Sequence, residues 1–309
     1  MTGRVGWASR FGHWVRTATI GLMILVAGGC RLHRREPWEK VPLPEGRVEV
    51  VRVRSGPPLD VDRVRFYSRE LREARFFLVL KPSGLAAPRD VVLLNHGWTD
   101  RPEDLLTELG VHEAYARLLS ADRVRPALVV LPDVRFASFY RRNADRFPFA
   151  QYLALVADEV AGLVAERYEV PADPVRWGIG GFSFGGHVAL DVARRYMGRF
   201  GSASAISTFY DPDWTFWPET PPEPGRLDGR GRGKQTVVVP GPRPRLLLAC
   251  GTSDRFIRQM RDLHRLLGEL GIEHQWSEAP GGHTWQYWRS VLDSMLTFHL
   301  PPETGEPGG

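Results

Sequence analysis

The sequence predicts an α/β fold in which a mostly parallel sheet is covered by helices on both faces. Short apolar runs of the kind found in buried strands recur along the chain. Amphipathic segments with helical spacing separate most of these runs, as crossover connections between parallel strands require. The earliest runs instead alternate apolar and charged residues, which is typical of antiparallel strands with one exposed face. We therefore expect an antiparallel edge at the N-terminal side of the sheet.

The predicted elements follow one another without an internal repeat. The expected strands are 48–53, 61–67, 74–80, 91–94, 127–131, 175–179, 203–206, 245–249 and 273–277. The expected helices are 102–119, 149–168, 188–196, 256–270 and 285–300. Together they indicate one catalytic domain over 47–300, a length at which α/β domains are often single. Within it, 211–244 is expected to be an irregular insertion, and 301–309 a flexible tail.

The first 29 residues have the pattern of a secretory signal, with three arginines, no acidic residue and an apolar run at 17–27. That run is too short to span a bilayer. Gly28-Gly29 before Cys30 resembles the lipobox of bacterial lipoproteins, although Ala27 stands where leucine is usual. The resemblance implies cleavage before Cys30 and a lipid on it, which would hold the protein on a membrane of the cell envelope. The segment 30–46 would then be a tether. An ordinary signal peptide or an uncleaved anchor is the alternative.

Composition narrows the classes of function. Hydrophobic residues make up 43% and charged residues 25%, which are ordinary globular values. The net charge of +5 includes the three arginines of the signal. No basic run is interleaved with aromatic residues, so a nucleic-acid partner is not expected. Metal-ligand patterns and phosphate-binding glycine patterns are missing as well, so we expect neither a metal nor a cofactor. Cys30 and Cys250 are the only cysteines, and a structural disulfide is not expected.

The predicted strand at 175–179 leads into a motif for nucleophilic catalysis. Residues 181–185 read G-F-S-F-G, which fits the G-x-S-x-G turn between a strand and a helix. In the α/β-hydrolase fold this turn presents a serine at the end of the sheet. The glycines around Ser183 have a steric reason, because side chains there would collide with the neighbouring strand and helix. With 32 glycines in 309 residues, however, the motif alone is a weak signal.

The partners of this serine occur downstream in the expected order. A serine nucleophile needs a base, and the base needs an orienting carboxylate. Asp254 and His283 each follow a predicted strand, where the catalytic groups of α/β sheets collect. We expect Ser183 to attack a carbonyl carbon, His283 to carry the proton, and Asp254 to fix the imidazole. Asp211 and Asp213 also follow a strand and are the alternative carboxylates.

Two backbone N–H groups are expected to stabilise the oxyanion. One belongs to Phe184, the residue after the nucleophile, and the other to Trp98, in the loop after the predicted strand at 91–94. His96 is expected to shape that loop, and His187 to pack on the helix that follows Ser183.

Aromatic residues near the predicted site are expected to contact the substrate. They could line a pocket for an acyl group or an aromatic ester, or they could pack the insertion onto the sheet. The residues in question are Phe182, Tyr140, Trp214 and Trp217, with Phe216 beside them.

The chain resembles the putative esterase family of the α/β-hydrolases, the esterase D-like group. The resemblance covers about 48–300 and rests on L-L-N-H-G-W at 93–98, G-I-G-G-F-S-F-G-G at 178–186, G-T-S-D at 251–254 and G-G-H-T-W-Q-Y-W at 281–288. It implies the triad named above and an acyl-transfer reaction on an ester or thioester. Phe184 stands where these esterases often carry methionine or glutamine, and 211–244 fits no known pattern. The substrate therefore stays open.

We accordingly expect a serine carboxylic-ester hydrolase that acts through an acyl-enzyme on a small-molecule or carbohydrate ester. The same triad would serve an acyltransferase that passes the acyl group to a sugar or glycolipid hydroxyl, as the mycolyltransferases of the group do. A hydrolase fold that binds a surface without catalysis is the alternative from another class. The complete set of catalytic residues speaks against it.

Overall fold

The computed structural model describes residues 36–135, 149–212, 214, 216 and 242–303. The chain divides into two units, residues 1–40 and 41–309. The described part of the first unit is residues 36–40, with a short 3₁₀ helix at Pro37–Lys40. The predicted signal with Cys30, and most of the predicted insertion 211–244, lie outside the described residues.

A nine-stranded sheet forms the centre of the second unit. Its strands in chain order are β1 Val48–Arg54, β2 Leu59–Ser68, β3 Glu73–Pro82, β4 Val91–Asn95, β5 Leu128–Pro132, β6 Trp177–Phe182, β7 Ser202–Ile206, β8 Arg245–Gly251 and β9 Gln275–Ala279. Their spatial order is β1-β2-β3-β5-β4-β6-β7-β8-β9. The pairings from β1 to β5 are antiparallel, and those from β5 through β4 to β9 are parallel. The predicted mostly parallel sheet with an antiparallel N-terminal edge is confirmed.

Helices connect the parallel strands. The α-helices are α1 Pro102–Thr107, α2 Val111–Ser120, α3 Phe149–Ala154, α4 Ala161–Tyr168, α5 Phe184–Arg195, α6 Ile257–Glu269 and α7 Trp285–His299. The predicted helix at 102–119 is in fact two helices, because Gly110 adopts a left-handed φ of 76° between them. In the described residues, no helix has the length and apolar character needed to cross a bilayer.

The predicted helix at 149–168 also differs from the structure. A π-helix at Leu155–Val160 separates α3 from α4, where the sequence pattern indicated one regular helix. Such π-turns arise from a locally widened hydrogen-bond pattern. Glu159 in this segment accepts hydrogen bonds from the Ser68 hydroxyl and from the Arg69 N–H. The irregular turn therefore ties the helix layer to the end of β2.

The central strands are the most deeply buried part of the sheet. Every residue of β4, β5 and β7 is buried, as expected for parallel strands covered on both faces. The edge strand β1 behaves differently from its prediction, because its last five residues are exposed. Val50 and Val51 point to opposite faces of the strand and are 47% and 45% exposed. The alternation of apolar and charged residues in β1 therefore did not indicate a buried face. An edge strand can leave both faces exposed to solvent when no helix packs on it.

The carboxyl ends of the parallel strands place four loops at one edge of the sheet. β4 runs into His96–Trp98, and β6 runs into Ser183. β8 and β9 are likewise followed by Asp254 and His283. In open α/β sheets this edge is the usual place for ligands and catalytic groups.

Candidate active site

Ser183 stands between β6 and α5 in a strained turn. Its φ of 54° and ψ of −122° lie in a region that residues with a side chain seldom occupy. A Cβ on Gly181 would lie 2.3 Å from the Gly185 carbonyl carbon, and one on Gly185 would lie 2.1 Å from the Asn95 carbonyl oxygen. Both distances are far below van der Waals contact. The two glycines of the motif are therefore required for the turn to pack against itself and against the end of β4.

The end of β7 holds the main chain of Ser183. The Ser183 N–H donates to the Ile206 carbonyl at 2.9 Å. The Thr208 hydroxyl donates to the Ser183 carbonyl at 2.6 Å. These two bonds fix both peptide groups of the strained residue. Sequence reasoning missed Thr208, because a threonine just beyond a strand carries no pattern of its own.

The structure brings together the side chains of Ser183, His283 and Asp254. The distance from His283 Nε2 to Ser183 Oγ is 2.9 Å. The distances from His283 Nδ1 to the two Asp254 carboxylate oxygens are 3.0 and 3.2 Å. A carboxylate only accepts hydrogen bonds, so the Nδ1 of His283 carries the proton and donates it. In this tautomer, Nε2 presents a lone pair to the serine hydroxyl.

The environment of Asp254 keeps its carboxylate ionised. Burial by itself would raise the pKa of Asp254, but hydrogen bonds from His283 and from the Phe256 N–H outweigh it, and the pKa is lowered from its usual value. The side chain of Asp254 is almost fully buried. Of the alternative carboxylates, Asp211 lies in the loop after β7 and Asp213 lies outside the described residues. The carboxylate that contacts His283 is Asp254.

Close backbone packing brings the His283 loop to the end of β8. A Cβ on Gly251 would lie 2.3 Å from the Gly281 carbonyl oxygen. The Ser253 N–H donates to that same oxygen at 2.8 Å. Gly251 is therefore required for the two loops to touch through their main chains, whereas a Cβ on Gly281 would meet the Tyr287 side chain of α7 at 2.7 Å.

Two aromatic rings hold the imidazole of His283 from its sides. The Phe256 ring lies 5.2 Å from it and the Trp288 ring 5.1 Å, both in edge-to-face geometry. Trp288 is the last residue of the G-G-H-T-W-Q-Y-W motif at 281–288 on which the family resemblance rests. Phe256 was missed, although it follows Asp254 by two residues and its N–H also contacts that carboxylate.

The two residues predicted to supply oxyanion donors lie side by side. Phe184 is the first residue of α5, so its N–H lies at the positive end of the helix dipole. Trp98 follows β4, and its ring contacts the Phe184 ring edge-on at 5.0 Å. His96 shapes this loop, because its Nδ1–H donates to the Gly97 carbonyl at 2.7 Å and its Nε2 accepts from the Val134 N–H at 3.0 Å.

One predicted substrate contact requires correction. Phe182 is fully buried, and its ring packs against Trp288 at 5.7 Å. It lies on β6, before the turn, where its side chain enters the core below Ser183 rather than a pocket beside it. Phe182 therefore packs the site from within the fold. Tyr140 and Trp217 lie outside the described residues.

Trp214 belongs to an aromatic stack beside α5. Its ring stacks on His187 at 4.7 Å, and His187 in turn stacks on Phe209 at 4.4 Å. His187 is buried and its Nδ1–H donates to the Phe209 carbonyl at 3.1 Å. Burial lowers the pKa of His187, so the ring is neutral at physiological pH. Trp214 itself is half-buried, with the Arg194 guanidinium 5.2 Å from its ring.

Fold and site together define a class of protein. A serine hydroxyl contacts a histidine that a buried carboxylate orients, at the carboxyl edge of a parallel sheet, which is the arrangement of a serine hydrolase with the α/β-hydrolase fold. Residues 68–299 match the sequence model of the family described as Putative esterase. The chain belongs to this family, and it is a serine esterase.

Similar proteins carry esterase names. An acetyl esterase of Caldicellulosiruptor saccharolyticus is 22% identical over 266 residues, which cover 76% of this chain and 96% of that protein. An esterase of Mycobacterium tuberculosis is 25% identical over 255 residues, which cover 69% of this chain and 53% of that protein. The chain therefore spans about half the length of the mycobacterial relative.

Solved structures share the fold at low sequence identity. A ferulic acid esterase of Anaeromyces mucronatus, in complex with ferulic acid, has a TM-score of 0.61 and 19% identity, over 85% of this chain and 94% of that chain. A fluorophosphonate-binding serine hydrolase of Staphylococcus aureus, solved with substrate bound, has a TM-score of 0.60 and 17% identity, over 78% of this chain and 98% of that chain. At these identities the likeness shows the α/β-hydrolase fold.

Proposed function

We propose that the protein hydrolyses carboxylic esters through an acyl-enzyme on Ser183, with His283 as general base and acid and Asp254 as the residue that orients the imidazole. One observation carries this proposal. Ser183 Oγ and the Asp254 carboxylate lie within hydrogen-bond distance of opposite nitrogens of His283, at 2.9 and 3.0 Å. A hydroxyl, a base and an orienting carboxylate in this order are what an activated serine needs.

The proposed reaction has two halves. Ser183 Oγ attacks the carbonyl carbon while its proton passes to His283 Nε2. The tetrahedral intermediate collapses, the bond to the alcohol oxygen breaks, and His283 returns the proton to the leaving alcohol. Water then enters, gives a proton to His283 and attacks the acyl carbon. The acid leaves, and Ser183 Oγ recovers its proton. Asp254 stabilises the imidazolium that forms in each half.

Negative charge on the carbonyl oxygen requires donors that are already in place. We assign this role to the N–H groups of Phe184 and Trp98. The Phe184 N–H begins α5, where the helix dipole favours an anion. Removing one such donor typically costs about 3 kcal/mol of transition-state stabilisation. The contact between the two rings supports a common position beside Ser183.

We propose that the aromatic rings packed around Phe184 favour a substrate with a flat or small acyl group. Trp98 and Phe149 contact the Phe184 ring at 5.0 and 6.0 Å. An aromatic acyl group could pack on such rings, and an acetyl group would occupy less of the same surface. The names of the acetyl esterase and the ferulic acid esterase fit these two possibilities. Trp214 and, on the sequence alone, Tyr140 and Trp217 are further proposed contacts.

Labelling and turnover test the proposed function together. The purified protein is incubated with a fluorophosphonate probe and assayed on p-nitrophenyl acetate, methyl ferulate and an acetylated xylo-oligosaccharide. We expect the wild type to be labelled and to turn over at least one ester. The Ser183→Ala variant should lose both properties, because among the described residues Ser183 Oγ is the hydroxyl within hydrogen-bond distance of His283 Nε2. The matched control is Ser290→Ala, which removes an α7 hydroxyl bonded to the Tyr287 carbonyl. Equal labelling of the wild type and Ser183→Ala would refute the proposal.

We also propose that Cys30 is lipidated and anchors the protein to a membrane of the cell envelope. The proposal rests on the basic start, the apolar run and Gly28-Gly29-Cys30. An acyl chain contributes about 0.8 kcal/mol of membrane affinity per buried CH₂ group. Mass spectrometry of the N-terminal peptide should find acyl groups on Cys30, and Cys30→Ser should leave the detergent phase. Cys250→Ser, which alters a buried cysteine of β8, serves as control. An intact N-terminus without a lipid would contradict the anchor.

A further inference from the structure

A reciprocal pair of hydrogen bonds closes the loop after β4. The Gly97 N–H donates to the Asp100 carboxylate at 3.1 Å, and the Asp100 N–H donates to the Gly97 carbonyl at 3.3 Å. A Cβ on Gly97 would lie 2.4 Å from Asp100 Oδ2 and 3.6 Å from Ser183 Cβ. The Gly97 main chain is therefore packed between the Asp100 carboxylate and the nucleophile.

A carboxylate in this position has an electrostatic cost. Burial raises the pKa of Asp100, and the neighbouring Asp104 raises it further, against the opposing effects of His96, the Gly97 N–H and His283. A negative charge near a reaction that builds an oxyanion also disfavours that oxyanion. The charge of Asp100 is therefore unfavourable both for its own burial and for the oxyanion. We expect Asp100 to contribute to catalysis through the loop geometry that its hydrogen bond imposes.

We propose that Asp100 is the positioning residue of the oxyanion loop. Its carboxylate holds the Gly97 N–H and thereby fixes the orientation of the next peptide group, so that the Trp98 N–H faces the carbonyl oxygen of an ester bound at Ser183. Asp100 acts through the main chain and does not touch the reacting atoms. The inference rests on the proposed esterase function and adds a residue that the triad and the oxyanion donors do not include.

Asp104 provides a matched control within the same segment. Its carboxylate accepts the Arg101 N–H at 2.8 Å, which is the same kind of bond over the same spacing of three residues. Arg101 and Asp104 belong to the start of α1. Loss of either aspartate removes a hydrogen bond that a main-chain N–H donates to a carboxylate, and of the two only Asp100 lies against Gly97 beside the nucleophile. A purely structural role would make the two variants alike.

Turnover of p-nitrophenyl acetate distinguishes a positioning role of Asp100 from a purely structural one. Asp100→Ala should lower kcat at least about tenfold with KM changed less than about twofold, because an oxyanion donor acts in the transition state. Asp100→Asn should recover most of this loss, since its amide oxygen still accepts the Gly97 N–H. Asp104→Ala should keep kcat within about twofold, whatever its effect on stability. Wild-type kcat in Asp100→Ala, or an equal loss in Asp100→Asn, would overturn the proposal.

Two further measurements keep the inference testable. Gly97→Ala places a methyl group against the Asp100 carboxylate, so it should reproduce the loss of kcat even if Asp100→Ala fails to fold. Wild-type kcat in Gly97→Ala would count against the proposal. Amide hydrogen exchange of Gly97 should become at least about tenfold faster in Asp100→Ala and stay unchanged in Asp104→Ala. This exchange is measurable in a protein without esterase activity. Absence of turnover in the wild type would therefore refute the proposed function, and unchanged exchange would refute the role of Asp100.

Discussion

His283 lies two residues before α7 and His299 is its last residue, and both contact serine hydroxyls. His283 Nε2 lies 2.9 Å from Ser183 Oγ at the edge of the sheet that carries the proposed site. His299, the last residue of α7, contacts Ser202 Oγ through Nδ1 and Ser204 Oγ through Nε2, each at 2.8 Å. A contact between serine and histidine is therefore common to a proposed catalytic site and to the core beneath it.

The surroundings separate the two histidines. His283 has a buried carboxylate on its second nitrogen and retains 15% of its side-chain exposure. His299 is buried, and both of its nitrogens face serines of β7. Burial and the nearby Arg245 lower the pKa of His299 to about 3, so it stays neutral. A Ser–His contact alone is therefore structural. A serine becomes a candidate nucleophile when its histidine also has an orienting carboxylate, when it stands in a strained turn, and when solvent can reach it.

The largest expected effect concerns the carboxylate that distinguishes His283. Asp254→Asn should lower kcat for esters by about 10⁴-fold, because the amide favours the wrong tautomer of the imidazole. Steady-state kinetics on p-nitrophenyl acetate measures the loss, and circular dichroism checks that the fold is intact. A decrease below about tenfold in a folded protein would mean that His283 needs no orienting carboxylate.

The second prediction compares the loss of each histidine, which should affect stability at His299 and turnover at His283. His299→Leu should lower the free energy of unfolding by about 2–4 kcal/mol, because the hydroxyls of Ser202 and Ser204 lose their buried partner. Its kcat per folded molecule should stay within about twofold of the wild type. The reciprocal variant, His283→Leu, should abolish turnover and change the free energy of unfolding by less than about 1 kcal/mol. Urea unfolding and active-site titration measure both. Loss of both stability and turnover in each variant would contradict the distinction between a structural His299 and a catalytic His283.

The third effect is a dependence of stability on pH. The pKa of His299 is about 3 in the native state and about 6.5 in an unfolded chain. Below about pH 6.5 the unfolded chain binds a proton that native His299 does not, so stability falls as the pH decreases towards 3, by up to about 1.4 kcal/mol per pH unit. Urea midpoints between pH 7 and pH 5 should fall less in His299→Leu than in the wild type. Parallel curves for the two proteins would contradict a neutral His299.

The smallest effect concerns a single hydroxyl of the buried cluster. Ser204→Ala should lower the free energy of unfolding by about 1–2 kcal/mol, because one nitrogen of His299 loses its partner while Ser202 retains the other. Thermal unfolding measures the loss, and ester turnover should be unchanged. Ser183→Ala is the counterpart at the proposed site, with turnover lost and stability nearly kept. An activity loss in Ser204→Ala would show that the two clusters are coupled.

Much of the fold followed from local patterns in the chain. The buried runs, the helical spacing and the glycines near Ser183 are short-range features, and each strand lies close to its predicted position. The break at Gly110 was missed because a glycine inside an amphipathic pattern gives no sign of its φ. Phe182 was assigned to the pocket because it adjoins Ser183, but it is the last residue of β6 and its side chain is fully buried. The first error concerns a backbone φ and the second a side-chain direction, and both are set by the folded chain.

The amino-acid sequence predicts the periodicity of the elements, the order of serine, aspartate and histidine, and the glycines that the turn at Ser183 requires. Only the folded chain shows that Asp254 contacts His283, that buried His299 contacts two serines, and that Asp100 borders the oxyanion loop. The physical reason is distance along the chain. Ser183 and His283 are 100 residues apart, and Ser202 and His299 are 97 apart. Burial, charge and access at each pair therefore come from packing between remote segments, which no local pattern records.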